Sequence, residues 1–260
     1  MNEDLKNSNL ADYNGPDQVI SSYELQEIIT ERERQKPGLE VKSGIPGLDK
    51  QTHGFREGEL ITVSGPTGEG KTTLLQTLTK AFCDGGQFPL WFSFEMPHGP
   101  FLRCFPELPF FYLPATLTPY DWKWFVKRCR ENEAKNAGKI IMIDHLHFLM
   151  SFLQAKNPAL EIGQLVRKLK RLAVDNGWIV FLVCHITKLG EGVKASMKNI
   201  RDSSFITQES DTVIMVQRTK AENEAVLTVD KCRWTGAFRK EITVKKMNGY
   251  LRELTEKYPV

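Results

Sequence analysis

The chain has 260 residues, 41% hydrophobic and 26% charged, a balance that excludes disorder for most of its length. Lys and Arg number 35 against 32 Asp and Glu, and the resulting +3 is too small to mark a polyanion-binding protein by charge alone. No run of about 18 apolar residues is available to span a membrane, and the opening MNEDLKNSNLADYNG lacks the basic-then-apolar pattern of a signal peptide.

Residues 1–37 read as a flexible arm followed by a linker helix. Ser21 is placed as an N-cap with Glu24 as its capping-box partner, and Ile20 and Leu25 form a hydrophobic staple. The helix SSYELQEIITERERQ carries only a narrow apolar stripe of Leu25, Ile28 and Ile29. It is either a peripheral helix of the same core or an element that docks on a neighbouring subunit. Lys36-Pro37-Gly38 ends it, and a Gly-rich approach, SGIPGLDKQTHGFREGE, opens a single domain over 38–260.

From Leu60 the pattern is α/β. The predicted strands are LITVS, PLWFSFEM, KIIMIDHLHFLM and WIVFLVCHI. Between them fall the helices KTTLLQTLTKAFCDGG, DWKWFVKRCRENEAK and IGQLVRKLKRLAVDNG. A polar loop with a short helix covers residues 188–204. DTVIMVQR, AVLTVDKCR and KEITVKKMNGYLREL then close the chain as three antiparallel strands. Apolar strands without alternation, separated by helices, predict a mostly parallel central sheet with helices on both faces. The five cysteines, Cys83, Cys104, Cys129, Cys184 and Cys232, are far apart and show no CxxC spacing, which reads as free thiols in a reducing cytosol.

The strongest motif is Gly65-Pro66-Thr67-Gly68-Glu69-Gly70-Lys71-Thr72, with Thr73 following. It fits G-x-x-x-x-G-K-[ST] between a predicted strand and a predicted helix. Glycines let backbone N–H groups turn around an anion, and the helix N-terminus adds its positive end. In that setting Lys71 reaches the β- and γ-phosphates of ATP, and the Thr72 hydroxyl is a ligand for Mg²⁺.

A second metal-side carboxylate is expected at the end of a neighbouring strand. Asp144, after the apolar run IIMI, is placed there. Glu95, closing WFSFE, is placed to polarise the attacking water, the alternative being a surface carboxylate at a strand end. His185 ends the next apolar strand, as a phosphate-sensing imidazole or as a structural histidine. His53, His98, His145 and His147 show no metal-ligand pattern. Three strands thus deliver polar residues to one sheet edge, where α/β sheets bind ligands.

The succession GPTGEGKTT, WFSFEMP, IIMIDHLHFL, LVCHITK, IRDSSFITQESDTVIMVQR and DKCRWTG resembles the helicase domain of DnaB-type replicative helicases. It is similar in flavour to Twinkle and the phage primase-helicases over residues 38–250. The segment I-R-D-S-S-x-I-x-Q-E-x-D from Ile200 carries most of the resemblance. The resemblance implies a RecA-like ATPase, a homo-oligomeric ring, normally a hexamer, and a nucleotide held between neighbours. It also implies a trans-acting Arg in a K-x-R run, here Lys231-Cys232-Arg233. DNA would pass through the channel against loops after the third and fourth strands, the latter carrying Lys188, Lys194, Lys198 and Arg201.

Single-stranded and forked DNA are the partners so implied, with no membrane. The length leaves no room for a primase or an amino-terminal scaffold, which puts a primase or polymerase partner on a separate chain. A cytoplasmic protein of a bacterium, phage or plasmid fits, with an organellar matrix left open. The aromatic stretch Phe101 to Trp124 matches nothing in the pattern and reads as packing on the ring's outer surface. Two competing readings share the fold. One is a RecA/RadA-type recombinase filament, whose F-x-x-A hook is matched only by Phe152 to Ala155; the other is a non-unwinding regulatory ATPase.

Overall fold

The computed structural model describes residues 13–15, 17–35, 37–117, 121–145, 158–186, 193–200 and 203–254. The chain divides into two compact units, residues 1–39 and 40–260.

In the smaller unit, helix α1 (Ser22–Gln35) starts on a closed capping box. The Ser21 N–H donates to the Glu24 carboxylate at 2.8 Å, and the Glu24 N–H donates to the Ser21 hydroxyl at 3.2 Å. None of its residues is buried, and Leu25, Ile28 and Ile29 stay open to solvent. A helix of this length is marginal on propensity alone, so its apolar stripe is where added stability has to come from.

The larger unit begins with a two-residue antiparallel ribbon, β1 (Glu40–Val41) with β2 (Phe55–Arg56), enclosing α2 (Pro46–Thr52). Sequence reading took this stretch as a Gly-rich approach without a helix. Its start signals are Pro46 in the first turn and the Asp49 carboxylate, which accepts the Ser43 N–H at 2.7 Å.

The main sheet runs β10-β9-β8-β7-β3-β6-β5-β4 among the described residues. Central β3 (Leu60–Gly65) lies parallel between β6 (Ile179–His185) and β7 (Thr212–Arg218). Parallel β5 (Ile140–Asp144) and β4 (Leu90–Ser93) extend one side. Antiparallel β8 (Glu224–Cys232), β9 (Lys240–Met247) and β10 (Tyr250–Glu253) extend the other.

Strand β6 shows why the helices take both faces. Its Phe181 packs on Phe82 of α3 (Lys71–Asp84) and on Phe55, with ring centroids 5.6 and 4.9 Å away. Its Val180, Leu182 and Cys184 point the other way. They join a core with Phe125 of α5 (Trp122–Asn136) and Leu165, Val166 and Leu169 of α6 (Pro158–Asn176).

Two departures from the sequence expectation concern strand ends. KEITVKKMNGYLREL is a hairpin rather than one strand, so four strands, not three, close the sheet. Asn248 (φ 50°) and Gly249 (φ 83°) form its two-residue turn. Both positions need positive φ, which is why an Asn-Gly pair sits there. Strand β4 stops at Ser93, so Glu95 lies beyond the strand and is exposed.

The aromatic stretch packs around β4 and the short helix α4 (His98–Arg103). Trp91 meets Phe101 at 4.9 Å and Phe105 and Phe111 at 6.5 Å, and its indole N–H donates to Thr79 of α3 at 3.0 Å. Tyr112 exchanges backbone bonds with Trp91 and Pro89, both at 2.9 Å, and so covers the outer edge of the sheet.

Candidate functional site

The loop after β3 needs glycine for two separate reasons. At Gly65 (φ 153°) a Cβ would come within 2.1 Å of the Val216 carbonyl oxygen on β7, so no side chain fits. Gly70 (φ 98°) adopts the left-handed conformation and starts α3 with no side-chain cap. The first-turn N–H groups of α3 therefore face the cleft without a side-chain acceptor of their own. That is the arrangement a phosphate occupies.

Lys71, only 6% exposed, folds back over the loop. Its ammonium donates to the carbonyls of Gly65 at 3.0 Å and Pro66 at 2.8 Å. Burial holds its pKa below the ordinary value, opposed by Glu95, Asp144 and Glu69. A cation so placed is desolvated in advance and waits for an anion. Glu69 accepts the N–H of Arg218, tying the loop to the end of β7.

The cleft, about 230 Å³, is lined by Thr67, Gly68, Gly70, Lys71, Thr72, Thr73, Glu95, Asp144 and His185. All three strand-end residues expected to converge, Glu95, Asp144 and His185, line it beside Lys71 and Thr72 of the motif. Asp144 is fully buried, and neither carboxylate oxygen has a hydrogen-bond partner among the described residues. Burial first, then the Glu95 carboxylate, push its pKa up to about 7, with Lys71 opposing. A buried carboxylate left without donors is costly unless a cation sits against it. Asp144 and the Thr72 hydroxyl are hard oxygen ligands, and the pair fits a divalent ion such as Mg²⁺.

Sequence reading gave His145 no role. It sits beside His185, with ring centroids 4.6 Å apart, and its backbone is left-handed (φ 86°) at the end of β5. Burial lowers its pKa, with Glu95 opposing. The strained backbone turns its ring across to the next strand end, a consequence of tertiary placement that residue spacing does not display.

The K-x-R run lies elsewhere. Cys232 pairs with Thr212 at the start of β7, and Arg233 donates its N–H to the Asp211 carbonyl at 2.8 Å. This is the opposite edge of the sheet from the phosphate loop, roughly 15 Å away along β3 at about 3.3 Å per residue. The Arg233 guanidinium, 48% exposed, is ion-paired to Asp211 at 3.1 Å. The Lys231 ammonium donates to the carbonyls of Thr207 and Ser210, both at 2.7 Å. Burial and the neighbouring Arg233 lower its pKa. Arg233 therefore does not reach the phosphate loop of its own chain.

Of the cations expected on DNA, Lys188 and Arg201 lie outside the described residues, as do His147 and the Phe152–Ala155 match. Lys198 is exposed in a 3₁₀ turn (Met197–Asn199). Lys194 is exposed but paired with Glu241 of β9 at 2.9 Å, an acid that the local sequence does not reveal. The segment is anchored by Gln217 of β7, whose side chain accepts the Ala195 N–H at 2.9 Å and donates to the Val193 carbonyl at 3.3 Å. Gln217 immediately precedes Arg218, which holds the phosphate loop through Glu69.

Sheet order, phosphate loop and strand-end acids together define a RecA-like P-loop nucleotide-binding domain. The chain belongs to the DnaB-like helicase C terminal domain family, whose sequence profile matches residues 117–257. That range contains Asp144, His185 and Arg233, while the phosphate loop lies ahead of it and stands on its own geometry.

Among its relatives is the DNA helicase/primase of Enterobacteria phage T3, 21% identical, with 85% of this chain and 47% of the relative aligned. The replicative DNA helicase DnaB of Haemophilus influenzae is 26% identical over 81% of this chain and 54% of its own length. The chain thus spans about half the length of the curated relatives it matches.

A solved structure of a DnaB-like replicative helicase, described with its interactions with primase, superposes with a TM-score of 0.77. It is 18% identical and covers 93% of this chain and 69% of its own. A solved ATPase domain gives 0.79 at 17% identity, over 91% of this chain and all of its own. At these identities the likeness is one of fold.

Proposed function

We propose that this protein is an ATP-dependent DNA helicase that translocates on single-stranded DNA as a hexameric ring and unwinds duplex. What carries the reading is the separation of Arg233 from its own phosphate loop. Lys71, Thr72, Glu95, Asp144 and His185 line one cleft, and on this reading the further cation for the charge developing on the γ-phosphate comes from a second copy of the chain. Gly65 to Thr73 cradle the triphosphate, with the Lys71 ammonium on its β- and γ-oxygens. Thr72 and Asp144 would hold Mg²⁺, which would neutralise phosphate charge when bound.

Glu95 accepts a proton from the attacking water as its oxygen bonds to the γ-phosphorus and the bond to the leaving ADP oxygen breaks. His185 contacts the γ-phosphate side of the cleft. Arg233 of a neighbour stabilises the transferring phosphoryl, a contribution worth ~10³–10⁵ in rate where it operates.

Lys188, Lys194, Lys198 and Arg201 contact the DNA backbone, and residues 1–37 dock on the adjoining subunit. A primase or polymerase partner on another chain, and a cytoplasmic setting in a bacterium, phage or plasmid system, fit this reading. The test is ATP turnover with and without single-stranded DNA, together with strand separation on a fork and particle mass with ATP. DNA-stimulated turnover and ATP-dependent unwinding by a ring-sized particle are expected. Turnover indifferent to DNA, without unwinding, would favour the regulatory ATPase instead.

A further inference from the structure

Arg233 serves a neighbour only if its guanidinium is presented in one place, since a misplacement of about 1 Å can cost ~10²-fold in rate. An arginine that is 48% exposed, on the turn after β8, does not hold itself there. The structure shows what does. Asp211, 1% exposed, sits between α7 (Ser203–Glu209) and β7, and it meets Arg233 twice. Its carbonyl accepts the Arg233 N–H at 2.8 Å, and its Oδ1 pairs with the guanidinium at 3.1 Å.

The other carboxylate oxygen, Oδ2, is fixed independently. It accepts the N–H of Leu60, the first residue of β3, at 2.9 Å and the Lys170 ammonium of α6 at 2.6 Å. A further carbonyl, that of Gln208 at the end of α7, receives the guanidinium at 3.2 Å. The carboxylate is thus anchored on the central strand and on a long helix, and it offers its free side to the arginine.

We infer that Asp211 is a positioning residue that presents Arg233 to the nucleotide of the adjoining copy. The inference rests on the reading of Arg233 as the cation that completes a neighbour's site. Asp211 touches neither substrate nor reacting atoms. It acts through the arginine, so its loss must behave as a defect on the donor side of the interface and leave the phosphate-loop side of the same chain intact.

Subunit mixing separates those sides. Asp211→Asn keeps the shape and the acceptor for Leu60 but loses the charge. Alone it should bind ATP with near-normal affinity and hydrolyse it at least ~10-fold more slowly. Mixed with Lys71→Ala, which retains a well-held arginine, it should regain partial turnover. Mixed with Arg233→Ala it should not, because both variants fail on the same side.

The reference is Lys71→Ala with Arg233→Ala, with subunit exchange verified by mass. No recovery there would refute the shared site itself. Recovery there, combined with normal turnover of Asp211→Asn or its rescue by Arg233→Ala, would overturn the role given to Asp211 alone. So would failure of Lys71→Ala to rescue it. Should Asp211→Asn not fold, adding Lys170→Met removes the ammonium left without its counter-charge, and the same mixtures decide the question.

Discussion

Lys71, Asp144 and Glu95 line one cleft, and the Glu95 carboxylate acts on the pKa of the other two. Burial lowers the Lys71 pKa, with Glu95 and Asp144 opposing, and burial first, then Glu95, push the Asp144 pKa up to about 7. Glu95, exposed in the cleft, is the acid free to meet water. Glu95→Gln keeps its size and hydrogen-bonding reach but removes the base. ATP should still bind, while hydrolysis falls ~10²-fold or more. Nucleotide affinity and single-turnover hydrolysis measured on the same sample check this, and unchanged hydrolysis would move the role to another acid.

These residues were legible in the sequence because each sits at a motif position or at the end of an apolar run, and both signals are local. Asp211 stood in the sequence only as the last residue of the motif that begins at Ile200, with no role attached, and His145 carried no signal. Asp211 matters through partners at Leu60, Lys170 and Arg233, all placed by the fold, and His145 through a backbone conformation and a ring on another strand.

At the scale of elements, the parallel strands and their helices were readable because the alternation of apolar runs with amphipathic stretches is itself the α/β signal. The hairpin of β9 and β10 was missed although Asn248-Gly249 announces it, since one long polar-edged stretch reads as a single strand when the turn is only two residues. Helix α2 was hidden by its glycine and its brevity.

The segment before Ile200 matters most at this scale, because Gln217 ties it to β7 one residue from the bond that holds the phosphate loop. If it lies along DNA, replacing Lys194 and Lys198 together by alanine should weaken single-strand binding. Each lost phosphate contact should flatten the log–log salt dependence by about 0.7. Because Glu241 already pairs with Lys194, Lys198→Ala alone should account for the larger share. Binding isotherms over a salt series check both statements, and an unaltered slope would place the DNA path elsewhere.

For the whole molecule, the decisive fact is topological. The chain enters β7 beside the start of β3 and leaves β8 at that same edge, so the K-x-R run and the phosphate loop occupy opposite ends of one sheet. A sequence shows both motifs but not the strand length that lies between them. If Arg233 serves a neighbour, copies would stand head to tail, each offering its arginine edge to the next copy's phosphate edge; such heterologous contacts form a ring where the rotation closes and a filament where it does not.

Assembly by mass action then makes turnover depend on protein concentration. The most direct measurement is the ATPase rate of Lys71→Ala and Arg233→Ala, separately and mixed, across a concentration series with subunit exchange verified by mass. Each variant should be inactive alone for a different reason. The mixture should recover part of the wild-type rate, because some interfaces pair an intact loop with an intact arginine, and wild-type specific activity should rise with concentration. No recovery in a mixture of proven composition, with wild-type turnover independent of concentration, would contradict a nucleotide site shared between copies.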